Sequence, residues 1–254
     1  MTARTKKLLQ RLVQTYTEIL TDNLVGIYLH GSYVLGSYNE RVSDLDYIVV
    51  VRRPLDLPTK QALMTVTMND LWPVAPAKGL EWHVLLLADT QHFHHPCPFD
   101  FHFSKMHLDR YKADPAAYVQ TMHGTDPDLA THLTIMHASG QVLCGPAIND
   151  VFAPVPAAIY WQGLLFDVVD APTMMCTQPM YTTLNLCRVL AYQQEHLILS
   201  KADGGIWGLA HVPQQYRPLV KQALDDYQDQ PGSRYLMTQT QPFAQWALAQ
   251  LNVG

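Results

Sequence analysis

The sequence predicts an α+β protein, a small mixed β-sheet domain followed by an α-helical bundle domain. Three observations predict it. The short, apolar, β-branched runs that read as strands all lie before Pro115. From Pro115 onward, apolar residues recur at three- and four-residue spacing, the period of a helix face. Between helical patterns, Phe152-Ala153-Pro154-Val155-Pro156 carries two prolines and marks a boundary. The expected domains are residues 1–152 and residues 153–254.

Taken in order, Leu8, Leu9, Leu12, Val13, Tyr16, Ile19 and Leu20 form the buried stripe of an opening amphipathic helix. Leu24 to Leu29 is a short strand running into His30-Gly31-Ser32. Asp44-Leu45-Asp46-Tyr47-Ile48-Val49-Val50-Val51 is the clearest strand in the chain. Pro58 suits the first turn of a helix extending through Leu71. A third strand covers Glu81 to Leu87. Helical stripes follow around Ala116–Met122, Asp128–Ser139, Ala157–Val169, Tyr181–Ser200, Gln214–Asp229 and Gln241–Leu251. Trp161, Leu164, Leu165 and Val168 share one such stripe and read as helix core.

Composition narrows the functional classes. The 254 residues are 48% hydrophobic and 15% charged, an ordinary globular balance, with a formal net charge of −5. That charge argues against a nucleic-acid partner and suits a cationic ligand. The opening MTARTKKLLQRLVQTYTEIL lacks an unbroken apolar core, so no signal peptide is expected. No run reaches the roughly 18 apolar residues of a membrane span. Cys97, Cys144, Cys176 and Cys187 form no C-x-x-C pair and read as free thiols of a cytoplasmic protein. His92, His94, His95, Cys97, His102 and His107 match no tetrahedral ligand spacing, and Pro96 and Pro98 make their segment an irregular loop.

The residues that carry chemistry are Gly31-Ser32 and, eleven residues on, Asp44-Leu45-Asp46. Glycine after a strand admits a phosphate close to the backbone, and Ser32 adds a hydroxyl donor. Residues two apart on a strand face the same side, so Asp44 and Asp46 bring two carboxylates together. Such like charges repel, and a divalent cation with hard oxygen ligands, Mg²⁺ above all, resolves the conflict. Glu81 heads another apolar strand and supplies a third carboxylate, as a general base or as a shared metal ligand. The structural alternative is that the aspartates only cap a strand and Glu81 only marks a strand edge.

YLHGSYVLGSYNERVSDLDYIVVV resembles the signature of the DNA polymerase β-type nucleotidyltransferases, and KGLEWHVLLL resembles their third-carboxylate strand. CGPAINDVFAPVP and LNLCRVLAYQQEHLILSKADGGIWGLAHVPQQYRPLVKQALDDY are similar to the C-terminal domain of the aminoglycoside 3''-adenylyltransferases, the streptomycin and spectinomycin resistance enzymes. The resemblance implies a nucleotidyltransferase domain followed by a helical domain, with ATP, Mg²⁺ and a hydroxyl-bearing small-molecule acceptor as partners. It implies that Asp44 and Asp46 hold Mg²⁺, that Glu81 is the catalytic base and a metal neighbour, and that Gly31, Ser32 and Ser43 line the triphosphate pocket. It further implies that Lys201, Arg188 and Tyr227 of the helical domain serve the nucleotide. Where the family places an acidic acceptor contact upstream of Arg188, this sequence has Gln178. Where the family places one tryptophan it has Met106, and a second falls in the region of Val168 and Val169. Asp100, Asp167 and Asp170 are the carboxylates offered in compensation, Asp100 and Gln178 being the acceptor-side candidates. A lincosamide, another hydroxyl metabolite or a protein side chain is the alternative acceptor. An idle nucleotide-binding module is the alternative class.

Overall fold

The computed structural model describes residues 2–228 and 234–252. The chain divides into two compact units, residues 1–34 with 38–156, and residues 35–37 with 157–254.

The first unit is built on a five-stranded sheet of order β5-β3-β2-β1-β7. Helix α1 (Ala3–Leu20) leads into β1 (Leu24–His30), a one-turn helix α2 (Gly31–Val34) and β2 (Leu45–Val51). Helix α3 (Leu57–Val66) opens with the Asp56 carboxylate accepting the Thr59 amide at 2.9 Å and with Pro58 in its first turn. It continues to Leu71 as a π turn, so the helix expected through Leu71 is present with a change of winding. β3 (Leu80–Leu86) pairs parallel with β2. β1 pairs antiparallel with β2, so the sheet is mixed.

Alternation along these strands sorts the side chains by face. Leu45, Tyr47, Val49 and Val51 of β2 enter one core with Leu8, Leu12 and Tyr16 of α1 and Leu63 and Met64 of α3. Ile48 and Val50 enter a second core on the other face. Helix α4 (Leu87–Gln91) follows β3, and β4 (Cys97–Phe99) and β5 (Phe101–Phe103) come next. Helices α5 (Leu108–Ala113) and α6 (Pro115–Thr121) precede β6 (Gly124–Asp126), which pairs with β4 as a separate ribbon. Helix α7 (Leu129–Ser139) covers the second face through Leu129, Leu133 and Met136. β7 (Gln141–Cys144) closes the sheet edge against β1, and α8 (Ile148–Val151) completes the unit.

The second unit is helical throughout its described residues: α9 (Ala157–Phe166), α10 (Ala171–Met174), α11 (Pro179–Glu195), α12 (Lys201–His211), α13 (Arg217–Gln228) and α14 (Met237–Gln250). Asp229, the expected end of α13, lies outside the described residues. The segment expected as one helix from Tyr181 to Ser200 ends at Glu195, where His196 turns left-handed at φ 55°. A second helix, α12, starts at Lys201 with Ser200 accepting the Asp203 amide at 3.0 Å. Its glycines explain why sequence periodicity missed it. A Cβ at Gly205 would lie 2.7 Å from Leu184 Cδ2, and one at Gly208 would lie 2.6 Å from Cys187 Sγ. The glycines weaken intrinsic helix propensity and in return let α12 approach α11 closely.

Gly205→Val is expected to destabilise the protein by about 1–3 kcal/mol through overpacking against Leu184 and Leu224. Urea unfolding followed by circular dichroism checks it, with a lowered midpoint at an unchanged slope as the expected outcome.

Candidate active site

The parallel register of β2 on β3 sets Asp46 directly beside Glu81. On the other flank, antiparallel pairing sets His30 opposite Asp46. Asp44 lies just ahead of β2, in a loop pinned by Ser43, whose amide donates to Asn39 O at 2.8 Å and whose Oγ accepts the Asn39 amide at 3.1 Å. Asp44, Asp46 and Glu81 each offer a carboxylate oxygen, and these oxygens lie within 4.8 Å of one another. Among the described residues this is the one group of three or more metal-ligating side chains so close together.

Gly31 shapes the edge of that group. Its φ is +69°, and a Cβ there would collide with the Asp46 carboxylate. Ser32 follows it in α2, with a buried hydroxyl that has no hydrogen-bond partner among the described residues. A small oxygen-rich ligand at this bend would meet bare backbone and a waiting donor.

The electrostatics are those of crowded acids. Burial raises the Glu81 pKa above the ordinary carboxylate value; His132 opposes this, and the charges of Asp44, Asp126 and Asp128 reinforce it. Burial drives His83 down to about 4, so its imidazole is neutral at pH 7. Its Nε2 lies 3.0 Å from Asp126 Oδ2, a hydrogen bond to a carboxylate that stays ionised, with a pKa of about 2 despite its burial. His83 stacks on His102 at 3.8 Å, and the ring of His132 lies tilted at 4.7 Å against that of His30, whose own pKa burial depresses strongly. These imidazoles pave the α7 side of the sheet beside the carboxylates.

The remaining sequence candidates have separate places. Asp100 lies further along β3, its amide donating to Val84 O at 2.8 Å. Its Oδ2 accepts the Leu55 amide at 3.0 Å and sits 3.4 Å from Lys60 Nζ, in a largely buried pair. Asp100 is therefore tied into the framework of the first unit. Met106 is 90% exposed. In the second unit Gln178 is exposed at the start of α11, and Tyr227 packs with Leu184, Ala223 and Leu224. Arg188 Nε donates to Leu199 O at 2.8 Å and Nη1 to Asn185 Oδ1 at 3.2 Å. Lys201 Nζ lies 4.5 Å from the centre of the Tyr181 ring. Lys201 is the first residue of α12, at the positive end of that helix, where a lysine gains nothing from the dipole. The helix expected from Tyr181 to Ser200 would instead leave Lys201 just beyond a helix C-terminus.

Sequence periodicity marks Asp128 and His132 only as part of a helical stripe and singles out no role for Asp126. The signal that could have found them is Asp126-Pro127-Asp128, two carboxylates astride a proline at a helix start.

Two parallel strands that present matched carboxylates beside a glycine-serine bend define a nucleotidyltransferase. The nucleotidyltransferase domain family matches residues 6–91, and the aminoglycoside adenylyltransferase C-terminal domain matches residues 150–251. The aminoglycoside (3'')(9) adenylyltransferase of Escherichia coli is 25% identical over 235 residues, spanning 89% of this chain and 86% of that one. Its counterpart in Klebsiella pneumoniae is 25% identical over 234 residues, with the same two shares. The structure of the spectinomycin adenyltransferase AAD(9) from Enterococcus faecialis, with ATP and spectinomycin, shares the fold at a TM-score of 0.80. It is 17% identical, and the match covers 97% of this chain and 99% of that chain. The chain thus carries a nucleotidyltransferase domain followed by an aminoglycoside adenylyltransferase C-terminal domain, with distant homology to the aminoglycoside (3'')(9) adenylyltransferases. Among the described residues, no helix is long and apolar enough to cross a membrane.

Gly31→Ala is expected to abolish turnover by displacing the Asp46 carboxylate, in addition to about 1–2 kcal/mol of left-handed backbone strain. Turnover measured together with thermal melting separates the two effects; activity near the wild-type level contradicts the assigned role of the bend.

Proposed function

We propose that this protein transfers AMP from ATP to a hydroxyl of an aminoglycoside of the streptomycin or spectinomycin type. The observation that carries the reading is the carboxylate group of Asp44, Asp46 and Glu81, with oxygens within 4.8 Å, on register-matched strands of a nucleotidyltransferase domain. The two-domain likeness to aminoglycoside adenylyltransferases supports the acceptor class. The working division is a nucleotidyl-transferring domain over residues 1–152 and a helical domain over residues 153–254.

The donor set fits a hard divalent cation, because three clustered carboxylates repel one another unless positive charge joins them. Asp44 and Asp46 would hold Mg²⁺, with Glu81 at its margin. Bound there, the ion supplies charge neutralisation at the phosphate oxygens. Glu81 takes the proton of the acceptor hydroxyl, and the raised affinity for protons that burial gives it favours that role. The hydroxyl oxygen attacks the α-phosphorus of ATP in line and pyrophosphate leaves. Gly31 leaves room for the triphosphate, Ser32 Oγ donates to it, and the Ser43 hydroxyl shapes the loop that presents Asp44. Arg188, Lys201 and Tyr227 are assigned to the nucleotide, the two cations offsetting phosphate charge. The neutral Gln178 and exposed Met106 favour, as a second reading, the same chemistry on another hydroxyl acceptor. Pyrophosphate release across streptomycin, spectinomycin and a lincosamide decides between them. Release with neither aminoglycoside, while ATP and Mg²⁺ bind, sets the first reading aside.

Asp44→Asn and Asp46→Asn are each expected to abolish turnover, since each removes an anionic ligand. Near-normal nucleotide-dependent turnover in either variant contradicts the metal assignment. Glu81→Gln is expected to slow turnover by roughly 10² or more while a non-hydrolysable ATP analogue still binds, the pattern of a lost base. Calorimetry checks this; collapse of nucleotide binding would make Glu81 a ligand first.

A further inference from the structure

The turn Asp126-Pro127-Asp128 joins β6 to α7 beside Glu81, and its two carboxylates are used very differently. Asp126 is fully engaged: Oδ2 meets His83 Nε2 at 3.0 Å, and Oδ1 accepts the Asp128 amide at 2.8 Å. Asp128 opens α7 already in helical conformation (φ −70°, ψ −20°), so the capping of its amide falls to Asp126 and leaves the Asp128 carboxylate outside that role. The Asp128 side chain accepts no amide of the first turn. Among the described residues its carboxylate has no hydrogen bond or salt-bridge partner.

Asp128 is exposed, yet its charge is felt at Glu81. One turn further along α7, His132 acts on Glu81, Asp126 and Asp128 alike. Its Nδ1 is buried without a partner. Among the described residues the same holds for both ring nitrogens of His30, which is 1% exposed and lies with its ring tilted against that of His132 at 4.7 Å. Buried polar atoms are ordinarily paired, so this incompletely paired ground suits a ligand rich in hydroxyls and amines. Asp126 holds the turn, and the carboxylate it presents next to the base is open.

We propose that Asp128 is a specificity-determining residue, the carboxylate that pairs with an ammonium group of the acceptor and so directs a neighbouring hydroxyl to Glu81. This rests on the reading of the acceptor given above, and it narrows it: the substrate carries an amine within about one sugar ring of the hydroxyl that is modified. A charge-assisted hydrogen bond of this kind is roughly twice as strong as a neutral one.

The test compares wild-type protein, Asp128→Asn and Asp128→Glu with spectinomycin and with the same drug acetylated on its amines, measuring kcat and KM for acceptor and for ATP. Asp128→Asn is expected to raise the acceptor KM about tenfold, the effect of one strong interaction, with the ATP KM within about twofold. Asp128→Glu is expected to restore part of the loss. Acetylation should penalise the wild type by a similar factor and Asp128→Asn hardly further. Equal acetylation penalties in both forms, or an unchanged acceptor KM in Asp128→Asn, overturn the inference alone. Absence of wild-type turnover with streptomycin and spectinomycin, while MgATP binds, removes the acceptor reading and this inference with it.

Discussion

Three carboxylates held within 4.8 Å of one another are the constraint around which the first unit is organised. At about 4 Å, two like charges in a medium of effective dielectric 20 repel by about 4 kcal/mol. A flexible loop would relax that repulsion by moving apart. Here Asp46 and Glu81 sit on adjacent parallel strands whose alternate residues lock them in place. Leu45 and Tyr47 flank Asp46, and Leu80 and Trp82 flank Glu81, all fully buried in the α1–α3 core. The strands cannot slip by one residue without turning that core outward and the carboxylates inward. Apolar burial on one face thus fixes electrostatic crowding on the other, and that crowding is what a bound cation would relieve.

Other features of the unit follow from the same demand. The chain must leave β1 beside Asp46 without filling the space in front of it, and only a residue lacking Cβ does this at φ +69°. The face behind the carboxylates cannot be wholly apolar either, because an acid buried against hydrocarbon would remain protonated. Imidazoles at His30, His83 and His132 occupy that intermediate ground. Burial keeps His30 and His83 neutral, so they add polarity without adding fixed charge beside the cation site.

The strands and the carboxylate group were legible in the sequence because period-two alternation and acids at strand starts are strong local signals, and Asp44, Asp46 and Glu81 carry both. The pairing partner of Asp46 was not fixed by either signal, since neighbouring strands are decided by tertiary packing. β7 escaped notice because it is a short edge strand with exposed Gln141 and Val142, lacking a buried face. Asp100 looked like an acceptor contact because a carboxylate among aromatics invites that reading. Its bonds to Leu55 and Lys60 come from segments far away in sequence, which no local pattern reveals. Asp128 is the opposite case: the sequence shows it only as the first residue of a helical stripe, and its unengaged carboxylate is visible only in the structure.

Helix α12 shows how a sequence that argues against its own structure can still be informative. Gly204, Gly205 and Gly208 disfavour a helix on propensity alone. Lys201 at the first position faces the positive end of the helix dipole, a placement that costs roughly 0.3–1 kcal/mol where nothing offsets it. Both become intelligible together. The glycines let α12 close onto α11, where a Cβ at Gly204 would meet Arg188 Cγ at 2.6 Å, so the same contact positions Arg188 and the start of α12. Arg188 in turn holds Leu199 O, at the approach to Ser200 and Lys201. The arrangement brings a guanidinium and an ammonium to a helix start that Ser200 caps and whose first turn carries Asp203. Two cations beside one helix start suit a polyphosphate, whose oxygens accept charge-assisted hydrogen bonds from both, and this is the physical support for the nucleotide role proposed for Arg188 and Lys201.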